Sequence, residues 1–158
     1  MKQLNSKWCE WILPLINSSP FFSFLGIKLN EFRYGEAFLE LEIKEEHIQL
    51  HGVVHGGVLA TMIDAAGALA AVTLIEGPNS ATTIEMKINY LSSAKKGKLF
   101  VHGHCIKLGK TIGVSEATIT DITKKKIAHG IVTIMLTPPL ALEEDEKMPH
   151  KFHRLDTT

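Results

Sequence analysis

The chain has 158 residues, with 17 basic and 17 acidic side chains that cancel to no formal net charge at neutral pH. This length suits one domain with a substantial core and is too short for two ordinary domains. The charge balance excludes the broad positive field on which nucleic-acid binding depends. Two distant cysteines without a CxxC spacing indicate a reducing compartment rather than a disulfide scaffold.

Residues 1–19 are predicted to form an N-terminal amphipathic helix. Apolar side chains at Leu4, Trp8, Trp11 and Leu15 recur at helical spacing, and Pro14 predicts an interruption near the end. The stretch lacks the continuous apolar core of a signal peptide, so we expect a cytoplasmic protein.

Residues 20–137 are predicted to form the main domain. An apolar run after Pro20 leads into a first strand around residues 26–32, and residues 37–44 alternate between apolar and polar side chains. Such alternation is typical of a half-buried strand. The remaining residues, 138–158, are charged and broken by proline, and we expect a loose tail or a short peripheral helix.

The most distinctive stretch is residues 54–75, in which a His-Gly-Gly turn precedes eighteen residues with a single charge, Asp64. Its apolar residues fall on every side of the helical wheel, which predicts a helix buried all round. A buried carboxylate is costly unless it is paired, so Asp64 requires an explanation.

Three interpretations of this helix compete. A membrane span is disfavoured by the central Asp64 and by the lack of basic or aromatic anchors at the ends. The second interpretation is a core helix with an incidental acid. The third is a catalytic helix whose N-terminus binds an oxyanion and whose acid performs base chemistry.

Four further strands are predicted at residues 82–90, 99–107, 112–121 and 127–136. In the first of them, alternation places Ile84, Met86, Ile88 and Tyr90 on one face and Thr83 on the opposite, polar face. Short connections suit an antiparallel meander. We therefore predict an α+β fold in which one antiparallel sheet of about six strands wraps around the long helix. The outer face and edges of such a sheet commonly pair with a second copy.

The stretch HGVVHGGVLATMIDAAGALAA, residues 51–71, resembles the signature of the PaaI-type hotdog-fold acyl-CoA thioesterases. His55 precedes Asp64 by nine positions, the spacing at which that family places its catalytic acid. The later segments TTIEMKINYLSSAKKG, IKLGKTIGVSEATI and KKIAHGIVTI are also similar to the family. The resemblance covers roughly residues 20–137 and implies hydrolysis of an acyl-CoA. Gln49 stands where the family often has asparagine, and Ser93 replaces a common proline.

Thioester hydrolysis needs a polarised carbonyl, an activated water or nucleophile, and a leaving thiolate. Gly56 and Gly57 open the helix, where free backbone N–H groups can receive an oxyanion. Asp64 is the proposed general base, or a nucleophile that forms a transient anhydride. Eight residues of helix separate it from Gly56 by about 12 Å, too far to share one carbonyl easily. The resemblance implies a dimer in which the two groups come from different subunits.

The resemblance assigns lesser roles to other residues. It implies that His55 orients the loop or the thioester, supported by Gln49, and that Thr83 helps to place the water. A simple helix cap and a strand-favouring threonine are the plainer alternatives. Lys107 and Lys110 are candidates for binding the coenzyme A phosphates, and Tyr90 for packing or hydrogen bonding.

Two groups of histidines have spacings that could suggest metal ligands. His47, His51 and His55 are spaced by four, but Gly52 and two valines interrupt any helix there. His102, His104 and Cys105 lack a second cluster to complete a ligand set. We therefore expect no metal and no cofactor, because coenzyme A is part of the substrate.

Two alternative functions remain open. One is an acyl-thioester hydratase or dehydratase, and the other is a non-catalytic acyl-CoA-binding protein. The acyl preference is also open, since an aryl-acetyl, medium-chain or long-chain group suits the apolar residues near the expected pocket, Phe21, Phe22, Leu59, Met62 and Ile63. Both a homodimer and a homotetramer are compatible with the sequence.

Overall fold

The computed structural model describes residues 3–77, 79–139 and 148–153. Two helices come first, α1 (Ser6–Asn17) and α2 (Pro20–Leu25), and two strands follow, β1 (Ile27–Arg33) and β2 (Glu36–Glu42). A short 3₁₀ turn (Glu45–His47) precedes the central helix α3 (Gly56–Val72). Four strands complete the fold: β3 (Ser80–Tyr90), β4 (Lys98–Leu108), β5 (Ile112–Asp121) and β6 (Lys126–Thr137).

The strands form one six-stranded antiparallel sheet in the order β1-β2-β4-β5-β6-β3. The predicted architecture, one such sheet around a long helix, is confirmed. The predicted meander holds for β4, β5 and β6, but β3 pairs with β6 instead of β4. The seven residues between β3 and β4 thus connect an edge strand to a strand inside the sheet.

Helix α3 lies against the inner face of the sheet, and its approach is unusually close. A Cβ atom added at Gly103 would lie 2.1 Å from the backbone oxygen of Ala66, and one added at Gly67 would lie 2.6 Å from a methyl carbon of Val132. One side of the helix is buried against the sheet, including Met62 and Ile63, whereas the side that carries Asp64 is half-buried. The predicted burial on every side is therefore wrong within a single chain, because the sheet covers only one side of the helix. Among the described residues, no helix combines the length and hydrophobicity needed to cross a membrane.

The N-terminal region differs from the sequence prediction in two ways. Helix α1 continues through Pro14, because this residue faces solvent and the missing N–H costs only one hydrogen bond near the helix end. The apolar run after it is a second helix, α2, and not an extended lead into the strand. Pro20 at its start and Gly26, with φ of 69° at its end, favour a single short helical segment.

The two edges of the sheet differ in how they are covered. On β1, the Asn17 side chain exchanges two hydrogen bonds with the backbone of Leu29, at 3.0 and 2.8 Å. Helix α1 therefore covers that edge. On the other side of the sheet, β3 pairs with β6 alone, and no strand among the described residues lies beyond it. An uncovered strand edge is a natural site for pairing with another chain.

The C-terminal segment 148–153 is not loose, contrary to the expectation. Asn5 N–H donates to the Lys151 carbonyl at 2.8 Å, and Leu4 forms a β-bridge with Phe152. The Lys151 ammonium donates to the carbonyls of Val72 at 3.1 Å and Ile75 at 2.9 Å, where α3 ends. Carbonyls at a helix C-terminus lack intrahelical partners and attract cations, which explains why a charged segment docks here. The rest of the predicted tail lies outside the described residues.

Candidate active site

Asp64 lies midway along α3, on the half-buried side of the helix. The Thr83 hydroxyl donates a hydrogen bond of 2.7 Å to Asp64 Oδ1. Within the described chain, this is the only hydrogen bond recorded to the Asp64 carboxylate, so Oδ2 retains its capacity to accept a proton. The hydrogen bond to Oδ1 thus fixes the orientation of the Asp64 carboxylate, while Oδ2 can still act as a base.

A β-bulge in β3 brings Thr83 to this face. Thr83 pairs with Ile134 and Glu85 with Thr133, so Ile84 is an extra residue in the ladder and is 49% exposed. One inserted residue reverses the alternation of side chains on one side of it. The sequence interpretation, which placed Thr83 on the face opposite Met86, is therefore wrong. The bulge returns Thr83 to the helix-facing side.

At the N-terminus of α3, His55 is the capping residue, with φ of −64° and ψ of 137°. Its Nδ1 accepts a hydrogen bond of 2.8 Å from the Gly57 N–H. The Gly56 N–H has no acceptor among the described residues. Of the two predicted oxyanion donors, Gly57 is therefore already engaged and Gly56 is free.

Tyr90 packs directly on this glycine. Its hydroxyl donates to the Gly56 carbonyl at 3.3 Å, and a Cβ atom added at Gly56 would lie 3.3 Å from Tyr90 Cζ. Tyr90 is 57% exposed. The structure thus brings His55, Gly56, Gly57 and Tyr90 together, and it brings Asp64 and Thr83 together as a second group.

Gln49 belongs to the loop before the turn and contacts neither group. Its side-chain oxygen accepts from the His51 N–H at 2.9 Å, and its backbone N–H donates to the Val53 carbonyl at 2.9 Å. The Gln49 side chain therefore does not make the hydrogen bond to His55 that we expected. Gln49 instead closes its own turn.

His47, which the sequence suggested only as part of a metal stripe, provides the contact to His55. The His55 N–H donates to the His47 carbonyl at 2.8 Å, and the neighbouring Val54 N–H donates to Ala94 at 2.8 Å. His47 is 1% exposed, and both of its ring nitrogens have hydrogen-bond partners. No local pattern distinguishes it from His51, because two of its three partners, Leu25 and His55, lie outside its own turn.

Lys107 and Lys110 lie at the other end of the helix from Gly56. Lys107 lines a cavity of about 470 Å³ together with Leu74 and Ile75, which follow the C-terminus of α3. A second cavity of about 470 Å³ lies on the outer sheet face, around His102 and Glu116. Gly56 and Asp64 line neither of these cavities, so the two candidate catalytic groups and Lys107 do not share a cavity described within one chain.

The apolar residues expected near an acyl pocket have separate locations. Leu59, Met62 and Ile63 are at most 4% exposed in the core between helix and sheet, whereas Phe21 is 57% exposed on α2. Neither described cavity is lined by any of them. Close helix packing fills the space beside Met62 and Ile63 within a single chain, and the acyl pocket stays a prediction for the assembled protein.

The remaining polar candidates are engaged in other ways. His102 Nε2 lies 2.8 Å from Glu36, and His104 Nδ1 lies 3.7 Å from Glu116, on the outer face of the sheet. Cys105 points to the opposite, buried face, and burial raises the pKa of its thiol, which disfavours a nucleophilic role. Over residues 3–77, 79–139 and 148–153, no three His, Cys, Asp or Glu side chains are arranged to hold a metal ion.

Comparison with known proteins shows the family. The family model for the thioesterase superfamily matches residues 51–128, which include Gly56, Asp64 and Thr83. Human acyl-coenzyme A thioesterase 13 is 33% identical over 98 residues, covering 61% of this chain and 69% of that protein.

Two solved structures share the fold. The PaaI protein from the phenylacetic acid degradation operon of E. coli superposes with a TM-score of 0.78 at 20% identity, covering 86% of this chain and 97% of that chain. A Streptococcus mutans protein bound to acetyl CoA superposes with a TM-score of 0.66 at 27% identity, covering 72% and 90%. The first likeness concerns the fold alone.

Proposed function

The chain belongs to the thioesterase superfamily of hydrolases, and we propose that it hydrolyses an acyl-CoA to a carboxylic acid and free coenzyme A. The observation that carries the proposal is that one helix presents both a hydrogen-bond donor and a carboxylate oxygen that have no partner among the described residues. The Gly56 N–H has no acceptor among the described residues, and the Asp64 carboxylate has one oxygen without a donor. The acyl-CoA thioesterase name of a relative and the acetyl CoA bound to a structural neighbour support the substrate class.

Gly56 is the proposed oxyanion donor. As the carbonyl carbon becomes tetrahedral, its oxygen gains negative charge, and the Gly56 N–H would stabilise that charge at the positive end of the helix dipole. His55 occupies the Gly57 N–H, which leaves a single, defined donor. The missing side chain at Gly56 gives the thioester access to this donor.

Asp64 is the proposed base. Its free oxygen would take a proton from a water whose oxygen bonds to the carbonyl carbon, and collapse of the intermediate breaks the carbon–sulfur bond to release the thiolate, which is then protonated. Direct attack by Asp64 through an anhydride is the other route to the same products. In both routes the Thr83 hydroxyl orients the carboxylate through Oδ1.

The two groups would meet across a dimer. Within one chain they are separated by about 12 Å of helix rise. The open edge of β3 offers a surface for pairing with a second β3, and a two-fold axis there would run the two α3 helices antiparallel. The Gly56 end of one helix would then approach Asp64 on the partner. A further pairing through the outer sheet face would give a tetramer.

The same symmetry gives a role to the two lysines. Because Lys107 lies near the C-terminal end of α3, antiparallel helices would carry it toward the Gly56 end of the partner. There Lys107 and Lys110 would bind the phosphates of coenzyme A, and Tyr90 would pack beside the thioester. The reaction needs no cofactor. A cytoplasmic location is also part of the proposal and is supported by Cys9 and Cys105 both being free thiols.

The test is release of thiol from a panel of acyl-CoA thioesters by the full chain. We expect turnover by the wild type, and a loss of about 100- to 10,000-fold in kcat for Asp64→Asn. Asp121→Asn, in the β5–β6 turn, is the matched control and should retain activity. Acyl-CoA binding without thiol release would leave a non-catalytic binder, and hydration of an enoyl-CoA would indicate a hydratase.

A further inference from the structure

His47 is a buried histidine whose protonation state is fixed by its partners. Its Nδ1 accepts a hydrogen bond of 3.1 Å from the Lys44 N–H, and its Nε2 lies 3.0 Å from the Leu25 carbonyl. An amide N–H can only donate and a carbonyl can only accept. The ring must therefore be neutral, with its proton on Nε2, to satisfy both contacts.

The backbone of the same residue holds the catalytic turn. The His47 carbonyl accepts the His55 N–H at 2.8 Å, and His55 in turn caps the Gly57 N–H and immediately precedes Gly56. His47 thus connects the end of α2, the 3₁₀ turn and the start of α3. The intervening loop is closed on itself by the Ile48–Val54 bridge, which joins the residue after His47 to the residue before His55.

We propose that His47 is a positioning residue for thioester hydrolysis, because its neutral Nε2–H ring locks the turn that presents the Gly56 N–H. This inference rests on the proposed function. His47 touches no substrate and acts through the His55 N–H. A shift of the turn by about 1 Å is enough to reduce a rate by as much as 100-fold when it misplaces an oxyanion donor.

Protonation would release this lock. A proton on Nδ1 would face the Lys44 N–H, which is also a donor, and no carboxylate of the described residues bonds to the ring to balance a buried cation. The charged groups nearby are Lys44, Glu45 and Glu46 on its own turn, with Lys44 and Glu46 3.8 Å apart at the surface. Helix α2 contributes no titratable side chain. Across the loop lie His55 and the lysines beside Ala94, Lys95 and Lys96.

The first experiment determines the tautomer by NMR of the ¹⁵N-labelled imidazole rings in the full chain. At pH 8, the inference expects a neutral His47 ring with the proton on Nε2. A ring carrying its proton on Nδ1, or a cationic ring at that pH, would overturn it. This readout does not depend on activity, so it remains decisive if no thioester is hydrolysed and the proposed function fails.

The second experiment compares His47→Phe with His102→Phe. Both remove an imidazole from a stacked or packed position, but His102 lies on the outer face against Phe38 and Glu36. For His47→Phe we expect kcat to fall about 10- to 100-fold, with KM within about twofold of wild type. Amide hydrogen exchange at His55 and Gly57 should accelerate by a similar factor. His102→Phe should change neither quantity.

Two further variants keep the test valid if His47→Phe does not fold. His47→Asn retains an acceptor for the Lys44 N–H, and His47→Gln retains a donor for the Leu25 carbonyl, so each should recover part of kcat. Unchanged kcat in all three variants, or a loss of thermal stability with kcat preserved, would show that His47 is only structural.

Discussion

Thr83 donates a 2.7 Å hydrogen bond to Asp64, a residue 19 positions earlier in the chain, because β3 carries an extra residue at Ile84. Without that bulge, the hydroxyl would lie on the face away from the helix. The contact joins an edge strand to the middle of α3 and fixes one carboxylate oxygen. It also makes a role for Thr83 testable separately from that of Asp64.

Thr83→Val should lower kcat by about 10- to 100-fold, because a hydrogen bond to a charged group contributes about 1.5–3 kcal/mol. Valine keeps the shape and the strand preference of threonine, so the fold should persist. Steady-state kinetics with the best acyl-CoA substrate would measure the effect. Thr83→Ser is the control, because it restores the hydroxyl and should recover most of kcat.

Gly56→Pro should remove the oxyanion donor while leaving the helix intact. Proline suits the first helical position, and His55, with ψ of 137°, has the extended backbone that precedes proline. We expect kcat to fall on the order of 100-fold or more. Gly56→Ala keeps the N–H but adds a Cβ atom 3.3 Å from Tyr90, which restricts access of the thioester, so kcat should fall but by less than in Gly56→Pro. Equal activity in the two variants would contradict the oxyanion role.

Gly103→Ala should destabilise the fold by about 1–3 kcal/mol, because its Cβ atom would meet the backbone oxygen of Ala66 at 2.1 Å. Urea denaturation would give the free energy of unfolding. Gly67→Ala is an informative comparison, since its conflict is with the Val132 side chain. Truncation of Val132 to alanine should reduce the cost of Gly67→Ala, and it should leave the cost of Gly103→Ala unchanged.

Lys151 should make stability rise with pH above neutrality. Burial lowers the pKa of its ammonium from 10.5 to about 8 in the folded chain. Between these values the unfolded chain binds more protons, so the free energy of unfolding should increase with pH, by at most about 1.4 kcal/mol per pH unit. Below pH 8 the Lys151 ammonium is charged in both the folded and the unfolded chain, so its contribution to the free energy of unfolding no longer changes with pH.

Denaturation of Lys151→Met across pH 7–10.5 would isolate the effect, because methionine keeps most of the packing against Trp8. The variant should lack the rise that the wild type shows. Lys95→Met, an exposed position, controls for the loss of a surface charge. A parallel pH dependence in wild type and Lys151→Met would contradict the burial of this ammonium in the folded chain.

Much of the fold follows from local pattern. The long apolar stretch with Gly67 predicts the central helix, although only one side of it is buried, and alternation predicts strands of nearly the observed extent. The His-Gly-Gly turn and the single charge of Asp64 likewise identify the helix that carries the proposed site. These properties depend on residues that are adjacent in sequence or one helical turn apart. They can therefore be predicted from the sequence alone.

The features that the sequence did not predict correctly are contacts between elements that are distant in the chain. The bulge at Ile84 depends on the register of β3 against β6, and no residue type in β3 signals it. The role of His47 depends on a carbonyl in α2, and the docking of Lys151 depends on where α3 ends. Local propensity contains none of this information. The sequence therefore identified Thr83 as a candidate while assigning it to the wrong face.

The central claim is that one site uses Gly56 of one protomer and Asp64 of its partner. The most direct measurement is complementation between Gly56→Pro and Asp64→Asn, each nearly inactive alone, after co-expression or after mixing under conditions that exchange subunits. Random pairing makes half of the dimers mixed, each with one intact site, so about a quarter of wild-type specific activity should return. Mixed dimers, verified by mass, that remain as inactive as the two parents would contradict the shared site.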